Sequence, residues 1–170
     1  MSSTAQPPHA DDPAARLTHV DERGAARMVD VSGKDVSVRT ATATGRVAVS
    51  PKVVALLRGE GIPKGDALGV ARIAGIQAAK RTPDLVPLCH PIAIHGVTVD
   101  LGIMDDAVEI TATVRTADRT GVEMEALTSV TVAALTLIDM VKAVDPAAVI
   151  TDVRVESKTG GKSGDWHRPG

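Results

Sequence analysis

The run "VEMEALTSVTVAALTLIDMVKAV", residues 122–144, constrains the fold more than any other part of this chain. It reads as one helix of about six turns at 3.6 residues each. Its apolar residues fall nearly all round, so it must be covered on more than one side. The rest of the chain offers small cover: there is no Phe, no Tyr and one Trp. Aromatic side chains normally bury the most area per residue. A core of Val, Ala, Ile and Leu must instead bring backbones close together. Self-association is one way to bury more, and the composition is a hint of it.

The flanking segments read as sheet and shorter helices. Residues 36–49, "VSVRTATATGRVAV", alternate and are rich in Val and Thr, the pattern of a strand interrupted at Gly45. In "SPKVVALLRGEG", Ser50 is an N-cap, Pro51 suits the first helical position, and Gly59 or Gly61 ends the helix. A second helix within "KGDALGVARIAGIQAAKRTPD" carries Leu68, Ala71, Ala74 and Ala78 at helical spacing and stops before Pro83. Its Gly69 and Gly75 are costly in a helix interior and imply close packing against a neighbour. "IAIHGVTVDLGI" and "AVEITATVRTA" form a strand pair around "MDDA", with Val108, Ile110, Ala112 and Val114 on one buried face. "VITDVRVESK" is the last strand and runs into "TGGKSGDWHRPG". The order strand, helices, strand, strand, helix, strand gives the fold class as α+β. It is ferredoxin-like βαββαβ with an extra helix in the first crossover and an antiparallel sheet packed on helices. The expected organisation is a disordered leader at 1–16, a single domain at 17–158 and a mobile Gly-rich tail at 159–170.

Charge and composition remove several function classes. The formal net charge of −2 argues against a dedicated nucleic-acid binder, which carries a strong basic excess. No apolar run looks long enough to span a bilayer, and the first residues lack the basic-then-apolar order of a secretory signal. The single Cys excludes an intramolecular disulfide and fits a reducing, cytoplasmic setting. No Asn is present, so N-glycosylation is excluded.

Five places carry candidate chemistry. "VPLCHPIAIH" sets Cys89 and His90 between Pro87 and Pro91, which fix the local backbone. A metal site, a thiol nucleophile and a rigid turn aiming His90 at a substrate compete there. Cys89, His90 and His95 resemble a ligand cluster, but residues five apart on a strand face opposite sides. No metal and no cofactor is expected. A reactive thiol needs a lowered pKa, and a buried structural Cys89 is the plainer reading, as an ordinary turn histidine is for His90. "GVEMEALT" puts Glu123 and Glu125 at the mouth of the long helix, where acidic residues also simply complement the dipole. In "LIDMVK", Asp139 and Lys142 share a helical face and can pair, as a surface salt bridge or as a functional pair in apolar surroundings. "SKTGGKSG" ends like a phosphate-binding loop but has Glu156 where the first glycine is needed, so that motif is rejected. A glycine loop with Lys158 and Lys162 remains, able to hold phosphates or to be a solvated tail. Lys64 in "IPKGD" sits ahead of a helix where the dipole does not favour a cation, so it is placed for an anion or is plainly solvated. Glu123 and Asp139 are sixteen positions apart, about 24 Å along a helix and about 160° around it. On one straight helix they cannot serve one small site within one subunit.

The blocks "LTHVD", "MVDVSGK", "ARIAGIQAAKRTPDLVPLCHP", "TGVEMEALTSVTVAALTLIDMVKAV" and "SKTGGKSGD" together resemble the cyclic pyranopterin monophosphate synthase family, the molybdenum-cofactor biosynthesis protein C family. The resemblance runs from about residue 17 to 165. It implies a lyase that rearranges (8S)-3′,8-cyclo-7,8-dihydroguanosine 5′-triphosphate to cyclic pyranopterin monophosphate with release of pyrophosphate. It also implies a ferredoxin-like fold, no metal, and a homohexamer of three dimers with sites at the dimer interface. Carried over by motif, the catalytic residues are Asp139, Lys142, Lys64 and His90. The substrate-binding residues are Leu88, Cys89, His90, Glu123, Met124, Glu125, Arg39 and Lys158. Asp139 beside Lys142 suits acid–base work with pKa values moved by burial. Lys64, Arg39 and Lys158 suit the charge developing on pyrophosphate. Either glutamate suits a guanine-type edge as an acceptor. The alternative is a non-catalytic ferredoxin-like module that binds a small nucleotide effector. An RNA-binding version needs sheet-face aromatics for stacking, which this chain lacks; no membrane partner is expected either.

Overall fold

The computed structural model describes residues 19–170, so the leader expected at 1–16 lies outside the described residues. The Val- and Thr-rich run forms β1 (Ser37–Ala48), the central strand of one antiparallel sheet. Ser50 then caps α1 (Pro51–Arg58), its hydroxyl accepting the Val53 N–H, with Pro51 in the first turn. Asp66 caps α2 (Ala67–Ala79) through the Gly69 N–H. The helix stops well before Pro83, which instead opens a short turn, α3 (Thr82–Leu85). β2 (Ile94–Ile103) and β3 (Ala107–Asp118) pair as a hairpin. The long apolar run is α4 (Glu123–Val141), followed by β4 (Val149–Thr159) and a two-residue strand, β5 (Trp166–His167).

The sheet order is β2-β3-β1-β4-β5, with every neighbouring pair antiparallel. The fold is therefore a mixed one, a single antiparallel sheet packed against helices. Helix α4 lies across β1, β3 and β4, and α2 lies beside it over β2. Val108, Ile110, Ala112 and Val114 meet the helices with no exposure, as the alternation predicts. The opposite face is polar: Thr42 bonds Thr113 at 2.9 Å, and Thr44 donates to Glu156 at 2.6 Å.

Close backbone approach replaces aromatic bulk. A Cβ on Gly75 would lie 3.0 Å from the Ser129 carbonyl and 3.1 Å from Ala133. The α2–α4 contact therefore needs a glycine there. Gly69 has a different cause from the one expected: it sits on the Asp66 cap, not on a neighbouring helix. Sheet and α2 cover two sides of α4 and bury Ala126, Val130, Ala133, Ala134 and Leu137 completely. A third side is left open, where Leu135 is 59% exposed and Met124 40%. By length and a mean hydropathy of 1.5, α4 does reach the measure of a membrane span, contrary to the expectation that no run does. Half of that window is buried inside this fold.

Candidate active site

The first turn of α4 has no side-chain cap and presents Glu123, Met124 and Glu125 toward a cavity of about 390 Å³. The proline-bracketed turn supplies the facing wall with Leu88, Cys89 and His90. Cys89 N–H bonds back to the Val86 carbonyl at 3.0 Å, which closes that turn. A strap ahead of β1 crosses the opening and adds Val29, Val31 and Lys34. Two bonds hold the strap: His90 Nε2 donates to the Val29 carbonyl at 2.5 Å, and Arg119 Nε donates to the Lys34 carbonyl at 2.9 Å. A carbonyl only accepts, so Nε2 of His90 carries a proton. The other ring nitrogen is left for different work.

The two glutamates differ sharply. Glu125 is 3% exposed, and burial raises its pKa to about 7. Its own backbone N–H offsets part of that, and the charge of Glu123 adds to it. Glu123 instead lies 3.5 Å from the Lys158 ammonium. Cys89 is half-buried on the cavity wall rather than in the core, a departure from the expected structural cysteine. Burial, then the neighbouring Glu125, pushes its thiol pKa up. A nucleophilic thiol needs the reverse shift.

Past Glu123 the cavity adjoins a cleft of about 190 Å³ where Lys34, Arg39 and Lys158 converge. Lys158 reaches it from the end of β4 and bonds the Ser163 hydroxyl at 2.8 Å. The glycine loop folds back over the start of β1. Gly160 has φ +84°, and a Cβ there would collide with the Val38 carbonyl. That position accepts only glycine without strain. The chain then returns as β5, pairing Trp166 with Lys158. This is not the strand–loop–helix context of a nucleotide-binding phosphate loop.

Lys64, Asp139 and Lys142 stand at the far end of α4. The Asp139 carboxylate lies 2.7 Å from the Lys142 ammonium and 2.5 Å from that of Lys64. Lys64 also donates to the Asp139 carbonyl at 3.1 Å. These lysines, Lys142 first and then Lys64, lower the Asp139 pKa to about 2. Burial is the expected cause of a shift here, but the side chain is half-exposed and the lysines produce it. Glu123 and Asp139 both lie within α4. The calculated separation of about 24 Å therefore holds inside one chain.

The structure thus gathers Leu88, Cys89, His90, Glu123, Met124 and Glu125 around one cavity, with Arg39 and Lys158 in the adjoining cleft. It keeps Lys64, Asp139 and Lys142 apart from them. His95 points elsewhere, its Nδ1 accepting the Ala117 N–H at 3.3 Å. Among the described residues, no three His, Cys, Asp or Glu side chains converge as metal ligands. Reasoning from residue types missed Lys34, His19 and the strap. Nothing periodic marks them; the one signal is that Lys34 closes the block "MVDVSGK".

A model of the MoaC family matches residues 28–161. Curated relatives share most of their length with this chain. The cyclic pyranopterin monophosphate synthase of Streptomyces coelicolor is 77% identical over 157 residues, 92% of each chain. That of Nocardioides sp. is 74% identical over 161 residues, 93% of this chain and 99% of its own. Cyclic pyranopterin monophosphate synthase 2 of Mycobacterium tuberculosis is 59% identical over 159 residues, 94% and 95% of the two chains.

Proposed function

The chain belongs to the MoaC family, and from that premise we infer that it is a cyclic pyranopterin monophosphate synthase acting in molybdenum cofactor biosynthesis. Its substrate is the 3′,8-cyclised dihydroguanosine triphosphate, and pyrophosphate leaves as the cyclic monophosphate forms. One observation carries the reading beyond the family name. Three separate segments, residues 88–90, 123–125 and the strap, meet at a cavity that opens beside a cationic cleft. A ring system in the first and a polyphosphate in the second match a nucleotide triphosphate. A non-catalytic effector module leaves the paired lysines around Asp139 without a purpose.

The residues take the following roles. Arg39, Lys34 and Lys158 neutralise the triphosphate and the charge that develops on the leaving pyrophosphate. His90 and the backbone of Leu88 and Cys89 fix the ribose or phosphate oxygens, and Met124 packs on the ring. Asp139 is ionised at neutral pH, so it serves as a proton acceptor and orients the ammonium groups of Lys64 and Lys142. Those lysines are the proton donors of the pair.

Those three residues reach the cavity from a second subunit. The uncovered side of α4 supports this, because Met124 lies at the cavity end, Leu135 between and Asp139 at the other. Antiparallel packing of two such ridges sets the end of one helix beside the start of its partner. We extend this to a hexamer built from three dimers. The strand order, all antiparallel and with the first crossover carrying α1, α2 and α3, supports a ferredoxin-like topology. A cytoplasmic location fits a biosynthetic enzyme with a free thiol.

Incubation of the protein with the cyclic nucleotide triphosphate, with pyrophosphate as readout, tests the assignment. Stoichiometric pyrophosphate and cyclic monophosphate are expected. Binding without release would leave the effector module standing.

A further inference from the structure

Glu123 and Glu125 belong to one turn of one helix, yet their surroundings divide them. Glu123 opens toward the cationic cleft and faces the Lys158 ammonium. Glu125 lines the cavity and is 3% exposed. Among the described residues, none of the ion pairs includes Glu125. Leu88, Met124, Val29 and Val31 make much of the nearby wall apolar. A carboxylate in such a place loses hydration, and no ion pair offsets that loss. The titratable groups around it are His19 and Lys34 on the strap, Cys89 and His90 on the turn, and Glu123 on its own helix. Of these, His90 is tied to Val29, and Glu123 is itself an anion that opposes a second charge.

We propose that Glu125 acts in its uncharged carboxylic-acid form, donating a hydrogen bond to an acceptor on the substrate's heterocycle, a carbonyl oxygen or an unprotonated ring nitrogen. Glu123 beside it faces the Lys158 ammonium instead. The proposal rests on the reading that this cavity takes a guanine-derived ring. It divides two residues that the sequence treats alike as acceptors. A neutral carboxyl offers one O–H donor as well as an acceptor oxygen. Placed on the cavity wall, it recognises a carbonyl edge that an ionised glutamate repels. As negative charge builds on that acceptor during ring opening, the bond strengthens, which is the condition for lowering a barrier rather than only tightening binding.

The test uses the full chain with carboxyl-labelled glutamate, followed by NMR against pH without ligand, together with kcat/KM profiles of wild type, Glu125→Gln and Glu125→Ala. One glutamate signal is expected to titrate near pH 7, and to be missing from Glu125→Gln. Wild-type kcat/KM should fall as pH rises through that value. Glu125→Gln keeps a donor, so it should stay within about tenfold of wild type and lose that fall, while Glu125→Ala drops by about 10²–10³-fold. Glutamate signals that all titrate near the ordinary value of about 4.3 would overturn the proposal. So would a Glu125→Gln variant as impaired as the alanine variant with the alkaline fall intact. Wild type that releases no pyrophosphate would reject the reaction, and the labelled signal would still decide the charge of Glu125.

Discussion

At the start of α4, Glu125 is buried, makes no ion pair among the described residues, and is pushed up to about pKa 7. Near its end, Asp139 stands half in solvent between two lysines and is held down at about 2. The two groups are both carboxylates, and the helix is the same. What differs is how each end balances charge. The enclosed end can do so by keeping a proton. The open end does so with ammonium groups and carries one cation more than it has anions. Neither arrangement is a complete acid–base site: one has the cavity and the other has the lysines. A cavity and an ion cluster are thus built at opposite ends of one rigid element. Under the proposed function, a second copy brings them together.

The largest effect expected is on turnover. Asp139→Ala and Lys142→Ala should each lower it by about 10²–10⁴-fold with the fold and assembly intact. The sharper form of the experiment mixes ends. Asp139→Ala co-expressed with Glu125→Ala should regain up to about a quarter of wild-type activity, because half of the dimers are mixed and each holds one intact site. No regain would mean that each chain completes its own site and that the two ends never meet.

How much of this is legible in the sequence follows from what kind of physics sets each feature. Ser50, Pro51 and the alternation at 108–114 are local signals, and the elements they predict are present. Gly75 is legible as a close approach, since a small-residue helix interior already signals one. Gly69 misleads because its partner, Asp66, is a local cap that looks like any loop aspartate. The separation of Glu123 from Asp139 along α4 is calculable from the sixteen-residue spacing alone. The different states of Glu123 and Glu125 are not. They depend on the strap, the proline turn and the Lys158 loop meeting in space, and two residues in sequence record nothing of that.

Next in size is the effect on assembly. Leu135→Ser removes the apolar side chain from the uncovered ridge without adding a charge one turn before Asp139. Light scattering at micromolar concentration should show a smaller species, and activity should fall with it. A variant that stays assembled and active would move the contact away from α4 and leave the two ends unconnected by it.

A smaller effect is expected at the cationic cleft, where three cations act together. Lys158→Ala should raise KM more than it lowers kcat, since phosphate charge is present in ground and transition states alike. Trp166 pairs with Lys158 across β5, and the Arg168 guanidinium lies 5.6 Å from its ring centre. Its fluorescence should therefore change when pyrophosphate orders the glycine loop, and the change should weaken with salt as exposed charges are screened. An unchanged signal with normal activity after removal of residues 159–170 would make the loop a bystander.

The smallest effect is on stability, and there the two ends should move in opposite directions with pH. Glu125 has its folded pKa raised from 4.5 to about 7. Between those values the folded chain binds more protons than the unfolded one, so stability falls as pH rises through that window. A tenfold change in proton affinity is worth about 1.4 kcal/mol, so a loss on the order of 3 kcal/mol is expected across that window. Asp139 has its folded pKa lowered from 3.8 to about 2. The stability it contributes is present above 3.8 and is lost as pH falls through about 2. Urea midpoints of wild type minus Glu125→Gln should therefore slope downward between pH 4.5 and 7, the window set by the two values for that group. Wild type minus Asp139→Asn should be flat there and fall only in acid. Two flat differences across the neutral range would mean that Glu125 is already ionised, and that cavity and cluster hold their charges in the same way.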